Sequence, residues 1–186
     1  ALRVSTGYSV NATQSSQKNS IKLTIDPSYK EESYKLVVQS ESVEITASNS
    51  RGLFYGFQTL LQLLPPEIYS ICTINGVSWV APICTIEDEP RFQWRGVMLD
   101  VSRHFFGVDS IKLLLDAMAI QKLNVFHWHL SDDQGWRIEI KKYPNFHQMG
   151  STSKYRPLPW HNDISDGIQY GPFYYTQEEV RDVVQY

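Results

Sequence analysis

The spacing of apolar residues changes several times along this chain, and each change marks an element. Ser20-Ile-Lys-Leu-Thr-Ile-Asp26 alternates apolar with polar, as a half-buried strand does, and Asp26-Pro27 ends it. Residues 33–39 and 43–47 alternate in the same way. The polar link Ser40-Glu-Ser42 between them is short enough to require antiparallel pairing. The period turns helical over residues 50–64, and Pro65-Pro66 stops it. Gly52 and Gly56 share one face of that helix, where missing side chains would let it lie close on the sheet. Residues 84–91, with the charge run Glu87-Asp88-Glu89 and then Pro90, read as a solvated linker with a boundary near residue 90.

Residues 95–137 read RGVMLDVSRHFFGVDSIKLLLDAMAIQKLNVFHWHLSDDQGWR. The apolar run from Gly96 breaks into polar residues after Leu99, as a buried strand does at its end. Asp109 or Ser110 is placed to cap a helix carrying Ile111, Leu114, Leu115 and Met118 at helical spacing. Leu113, Ala117 and Ile120 widen that stripe until it calls for cover by a sheet and by neighbouring helices. Asn124 suits a left-handed closing residue. Val125-Phe-His-Trp-His-Leu130 is a second strand, too apolar and aromatic for a surface. A strand-helix-strand crossover makes its strands parallel and right-handed, so their carboxyl ends share one sheet edge. Folds of this kind keep their chemistry at that edge. Asp100, Arg103 and His104 reach it from the first strand, and His129, Asp132 and Asp133 from the second.

Arg137-Ile-Glu-Ile140 is strand-like, residues 150–175 have neither period, and Thr176-Gln-Glu-Glu179 is a capping box ahead of Val180, Val183 and Val184. A helix that breaks off after roughly three turns, with nothing for its apolar face to cover, is interrupted. The expectation is a chain cut within a domain.

Composition narrows the function classes. With 42% hydrophobic and 20% charged residues the chain is globular, and it has no apolar run long enough for a membrane span. A net charge of −3 offers no basic face for nucleic acid. Five Trp and eleven Tyr suit a ligand with flat apolar faces, such as a sugar, although most large aromatics serve as core. Cys72 and Cys84 flank a loop holding the turn signal Asn75-Gly76, and a disulfide and two free thiols both fit. Asn11-Ala-Thr13 is a glycosylation sequon, and no leader pattern stands at Ala1.

LDVSRHFFG followed by NVFHWHLSDDQGWR resembles the first two strand-helix units of the catalytic barrel of family 20 glycoside hydrolases, the beta-N-acetylhexosaminidases. The resemblance covers nearly the whole chain. It implies an α/β protein in which residues 1–90 form a small α+β accessory domain, an antiparallel sheet with a helix. Residues 91–186 would be the start of a (β/α)8 TIM barrel, truncated. The implied parent removes terminal N-acetylglucosamine or N-acetylgalactosamine from oligosaccharides or glycoconjugates by substrate-assisted retaining hydrolysis. It would use no cofactor and no metal, act outside the cytoplasm (periplasmic, secreted or lysosomal), and is compatible with a homodimer.

By the same resemblance Arg103 grips hydroxyls of the terminal sugar, Asp132 supports the network around it, and Asp133, His129 and Asp100 assist. The Asp-Glu pair that performs the family's catalysis has no counterpart here in a matching setting, so this chain alone is expected to be inactive. Three other readings stand beside this one. Arg103 could serve only as a salt bridge to Asp100 or Asp132. The protein could be a non-catalytic carbohydrate binder on a degenerate barrel. It could also be a metal-dependent barrel hydrolase using His127 and His129, although His127 falls inside an apolar run where a core histidine is the commoner role.

Overall fold

In the computed structural model, which describes residues 1–14, 18–153 and 168–186, the chain divides into two compact units, Ala1–Gln93 and Trp94–Tyr186. The first opens with a short helix α1 (Leu2–Thr6). It continues through β1 (Ser20–Ile25), β2 (Tyr34–Val38), β3 (Ser42–Ala47), α2 (Ser50–Leu63), a 3₁₀ turn at Pro66–Tyr69 and β4 (Cys84–Asp88). These strands form one sheet in the order β1-β3-β2-β4.

The β2–β3 hairpin is antiparallel, as its short link requires. The sheet as a whole is mixed, not antiparallel. β1 pairs with β3 in parallel, because the hairpin inserts β3 between β1 and β2. The stretch read as a linker is β4, which occupies the free edge of β2. Its acids are engaged: Glu87 with Lys35 at 2.7 Å, Glu89 with Lys30 at 2.7 Å, and Asp88 as acceptor from the Tyr34 hydroxyl at 2.8 Å. Charged residues on an edge strand discourage pairing with a further chain, so charge there is compatible with a strand.

Asn49 caps α2 by accepting from the Gly52 N–H at 3.1 Å, and the helix covers a core of Tyr34, Leu36, Val38, Ile45, Ala47, Tyr55 and Leu60. A Cβ on Gly52 would stand 2.5 Å from the Ser33 carbonyl oxygen, and one on Gly56 would stand 2.5 Å from Ile45 Cγ2. The helix therefore lies at a distance from the sheet that only glycine allows. Asn75-Gly76 forms a turn without flanking strands, and Cys72 and Cys84 are both free thiols.

The second unit contains β5 (Gly96–Asp100), α3 (Val108–Ile120), β6 (Val125–His129), a two-residue hairpin of β7 (Ser131–Asp132) and β8 (Gly135–Trp136), α4 (Asn145–Gln148) and α5 (Gln177–Gln185). β5 and β6 pair in parallel, with Met98 opposite His127 and Asp100 opposite His129. Val101, Ile111, Tyr175 and Val183 are its buried core, joined by Leu99, Leu115, Phe126, Trp128 and Val180. The other strand face carries Met98, 55% exposed, and His127, also exposed. On a strand alternate side chains point to opposite faces, so His127 lies on the face away from Phe126 and Trp128, which join this core.

α3 begins after Gly107, with Asp109 in its first turn rather than at the cap. It ends with Lys122 in the left-handed conformation. The Lys122 N–H donates to the Ala119 carbonyl and the Leu123 N–H to the Met118 carbonyl, the paired bonds of a Schellman closure. Asn124 has another task, accepting from the Arg95 N–H at 2.9 Å. Within these residues Leu113 is 71% exposed and Ala117 is exposed too, and the packed side of α3 is the one carrying Ile111, Leu115 and Met118. Residues 137–140 form no strand. A single parallel bridge joins Ile138 to Tyr175, and the Arg137 side chain is buried. The capping box at Thr176 and Glu179 is present, and α5 buries Val183 while Val184 faces outward. Much of the aperiodic stretch 150–175 lies outside the described residues, but Ser153 and Tyr170 at its two sides form an antiparallel bridge.

Gly56→Ala is expected to cost about 1–3 kcal/mol, the usual penalty for overpacking a filled interface. At roughly 4–8 °C per kcal/mol for a domain of this size, a melt of this unit should shift by several degrees, and an unshifted melt would refute the close packing. Alkylation without reductant should add two labels to the intact mass. A single label or none would contradict the free thiols.

Candidate functional site

The parallel pairing of β5 and β6 brings Asp100 and His129 side by side at the carboxyl edge. The chain turns directly after each strand. Asp100 Oδ1 makes the first turn by accepting from the Ser102 N–H at 2.9 Å and the Arg103 N–H at 3.1 Å. Aspartate is suited to this because its short side chain reaches backbone two and three residues on. After the second strand Asp132 Oδ1 accepts from the next backbone N–H, that of Asp133, at 2.9 Å.

The remaining carboxylate oxygens converge on Arg103. Its Nη1 donates to Asp100 Oδ2 at 2.8 Å and forms an ion pair with Asp132 Oδ2 at 2.6 Å. His129 Nε2 donates to Asp132 Oδ2 at 2.8 Å. A nitrogen donating there has no lone pair to offer Arg103 Nη1 at 3.4 Å, so that approach is a packing contact. Among the described residues no hydrogen bond is made by Arg103 Nη2 or Nε, and the side chain is 49% exposed. One end of the fork is anchored and the other is open.

Arg103, Asp100, Asp132, His129 and Asp133 therefore form one cluster. His104 stands outside it, its ring edge-on to Phe106 at 4.8 Å. His127 approaches His129 only through ring packing at 6.0 Å, and among the described residues no group of three or more His, Cys, Asp or Glu side chains could hold a metal ion. His129 is in any case committed to Asp132.

The electrostatics follow from this geometry. Burial alone would raise the Asp100 carboxyl. The Arg103 backbone N–H, the Arg103 guanidinium and the Ser102 N–H outweigh it and hold the group below its ordinary value. Hydrogen bonds from Asp133, then from His129, with the Arg103 charge, hold Asp132 well below the usual carboxylate range. Arg103 is raised in turn, chiefly by Asp100.

Arg137 carries no functional expectation from the sequence, yet it underlies the cluster. Only 6% exposed, it donates from Nε to the Val101 carbonyl at 3.1 Å and from Nη2 to the Ser102 carbonyl at 2.8 Å. From Nη1 it donates to the carbonyls of Ser151 at 2.9 Å and Phe173 at 3.1 Å. Beneath it Tyr175 donates its hydroxyl to the Phe106 carbonyl, and burial pushes that phenol up to about 12. Alternation over residues 136–140 sets Arg137 on the side of Glu139, opposite Trp136, Ile138 and Ile140, so local pattern gives no signal for its burial.

Comparison with known proteins agrees along the whole chain. Residues 1–89 match the family described as glycosyl hydrolase family 20, domain 2, and residues 92–186 match glycosyl hydrolase family 20, catalytic domain. A beta-hexosaminidase of Porphyromonas gingivalis is 48% identical over 170 residues, covering 90% of this chain and 20% of that protein. The solved beta-N-acetylhexosaminidase of Streptomyces coelicolor A3(2) superposes with a TM-score of 0.82 at 40% identity, over 99% of this chain and 35% of that one. A mutant beta-hexosaminidase of Streptomyces plicatus, solved with its product GlcNAc, gives 0.81 at 42% identity, over 99% and 34%. The chain thus spans between a fifth and about a third of the length of these relatives.

A carboxyl held below its ordinary value stabilises the fold fully above the unfolded value, near 3.9 for Asp, and that stability is lost as pH falls through the folded value. Asp132→Asn should therefore melt below the wild type at neutral pH. The gap should stay constant from about pH 7 to about pH 5 and narrow below about pH 4. A gap unchanged at pH 3 would show that the carboxylate is not held in this way.

Proposed function

This chain belongs to glycosyl hydrolase family 20, and from that membership we propose that it forms the accessory domain and the opening strands of the barrel of a beta-N-acetylhexosaminidase. The enzyme removes terminal N-acetylglucosamine or N-acetylgalactosamine from oligosaccharides or glycoconjugates. Among the described residues no helix is long and apolar enough to cross a membrane. The same reading places the enzyme outside the cytoplasm and takes a homodimer as compatible with its carbohydrate-processing role.

One observation carries the assignment. Arg103 stands at the carboxyl edge of a parallel strand pair with Nη1 fixed by two carboxylates and its remaining donors unfilled among the described residues. A guanidinium anchored at one nitrogen presents the others in a fixed plane, which matches two neighbouring hydroxyls of one sugar ring. Asp100 and Asp132 are the anchors, His129 and Asp133 orient Asp132, and the fork does the gripping. The salt bridges and the sugar contact are not rivals here, since each uses different nitrogens. By the family resemblance, the acid that protonates the leaving oxygen belongs to an Asp-Glu pair not found in this setting. These residues supply one wall of the pocket rather than its catalytic acid.

Two measurements test the reading. Arg103→Lys in the full-length enzyme keeps the charge but loses the fork. Each charge-assisted hydrogen bond lost is worth about 1.5–3 kcal/mol, and about 1.36 kcal/mol is a factor of ten, so kcat/KM should fall at least tenfold with little change in Tm. Unchanged kinetics in a destabilised protein would defeat the substrate-gripping role. Separately, a polypeptide of these 186 residues should release no nitrophenol from 4-nitrophenyl N-acetyl-β-glucosaminide, and specific turnover by it would overturn the division of labour.

A further inference from the structure

We propose that Arg137 is a positioning residue for sugar binding: its buried guanidinium holds the carbonyls on which the Arg103 turn is built and so sets where the Arg103 fork stands. This rests on the reading that Arg103 grips the sugar. Arg137 uses four N–H groups on the carbonyls of Val101, Ser102, Ser151 and Phe173, which belong to three separate stretches of chain. Two of the four, Val101 and Ser102, fill the gap between Asp100 and Arg103. The Ser102 N–H is the one that Asp100 Oδ1 accepts, so the path from Arg137 to the Arg103 anchor passes through a single peptide unit.

A second observation points the same way. A Cβ on Gly135 would lie 2.4 Å from Arg137 Cζ and 2.5 Å from Nη2, so the backbone of the β7–β8 hairpin is bare where the guanidinium passes beneath it. The Gly135 carbonyl accepts from Ser102 Oγ at 2.8 Å, and that serine is fully buried. The hairpin carrying Asp132 and the turn carrying Arg103 are thus referred to the same cation. Burying a cation is costly where apolar packing would fill the volume as well. What a guanidinium supplies in exchange is a rigid planar template with donors at fixed angles. Lysine would retain the charge without that template.

A plain staple and a positioning residue differ in whether the kinetic effect depends on Arg103. The test is a double-mutant cycle in the full-length enzyme with 4-nitrophenyl N-acetyl-β-glucosaminide, reading kcat/KM and Tm for wild type, R103K, R137K and the double variant. Arg137→Lys should lower kcat/KM fivefold or more in the wild type and less than twofold in the R103K background, while lowering Tm equally in both. Loss of the same factor in both backgrounds, or a Tm loss with unchanged kcat/KM, would overturn the inference while leaving the role of Arg103 intact. An R103K enzyme as active as wild type would overturn that role and this inference with it. If R137K does not fold, Ser102→Ala, which removes one hydrogen bond, carries the same cycle. Its two- to threefold loss should vanish beside R103K, and an undiminished loss there would overturn the proposal.

Discussion

Parallel pairing across one crossover helix is the constraint on which the second unit depends. Once α3 returns the chain to the start of β6, the register fixes Asp100 opposite His129, and the residues that follow each strand must leave from the same edge. Neither turn has room to carry its charges elsewhere. Two carboxylates arriving within reach of each other need a cation between them, and Arg103 fills that place with one nitrogen. The remaining donors are then aimed by what holds the first, as a lever is aimed by its pivot. The same pairing gives the strands two unlike faces. Leu99, Phe126 and Trp128 meet the helical side, and Met98 and His127 do not.

In the first unit the governing constraint is distance. Gly52 and Gly56 bring α2 onto Ala47, Ile45 and Tyr34 so closely that side chains from the sheet fill the helix groove directly. The opposite face of the sheet is polar. Lys22 with Glu44 and Lys35 with Glu87 form cross-strand pairs there, weak in water individually but unfavourable to stacking a second sheet.

Much of this was legible in the chain itself, because most elements here announce themselves by period. The α2 helix, the β2–β3 hairpin, the β5–α3–β6 crossover and the capping box of α5 each follow from local spacing. The polar residues gathered at the carboxyl edge follow from handedness alone. What stayed hidden depends on non-local partners. β1 is parallel to β3 because a later hairpin inserts there, and no pattern within β1 encodes that. β4 looks like a linker because its carboxylates are paired across the sheet with Lys35 and Lys30, 52 and 59 residues away in sequence. Lys122 closes α3 in a conformation that composition assigns to Asn124, since Asn124 is needed by Arg95. His127 stands among apolar neighbours in sequence, although in a strand those neighbours point the other way. Arg137 escaped notice because its partners are all backbone carbonyls, which no sequence displays.

The turn at Lys122 has a consequence for how the strand pair comes apart. By adopting the left-handed conformation, Lys122 turns its carbonyl to accept from Arg95 Nε at 2.8 Å, while Asn124 exchanges bonds with the Arg95 backbone. The amino ends of β5 and β6 are therefore tied by an arginine, an amide and carbonyls, none of which changes charge between neutral and acidic solution. The carboxyl ends are tied by aspartates, which do. The ladder is a zipper with unequal ends: only acid strong enough to protonate carboxylates held below their ordinary range loosens the carboxyl edge, and amide exchange there should progress from Asp100 and His129 back toward Gly96 and Val125.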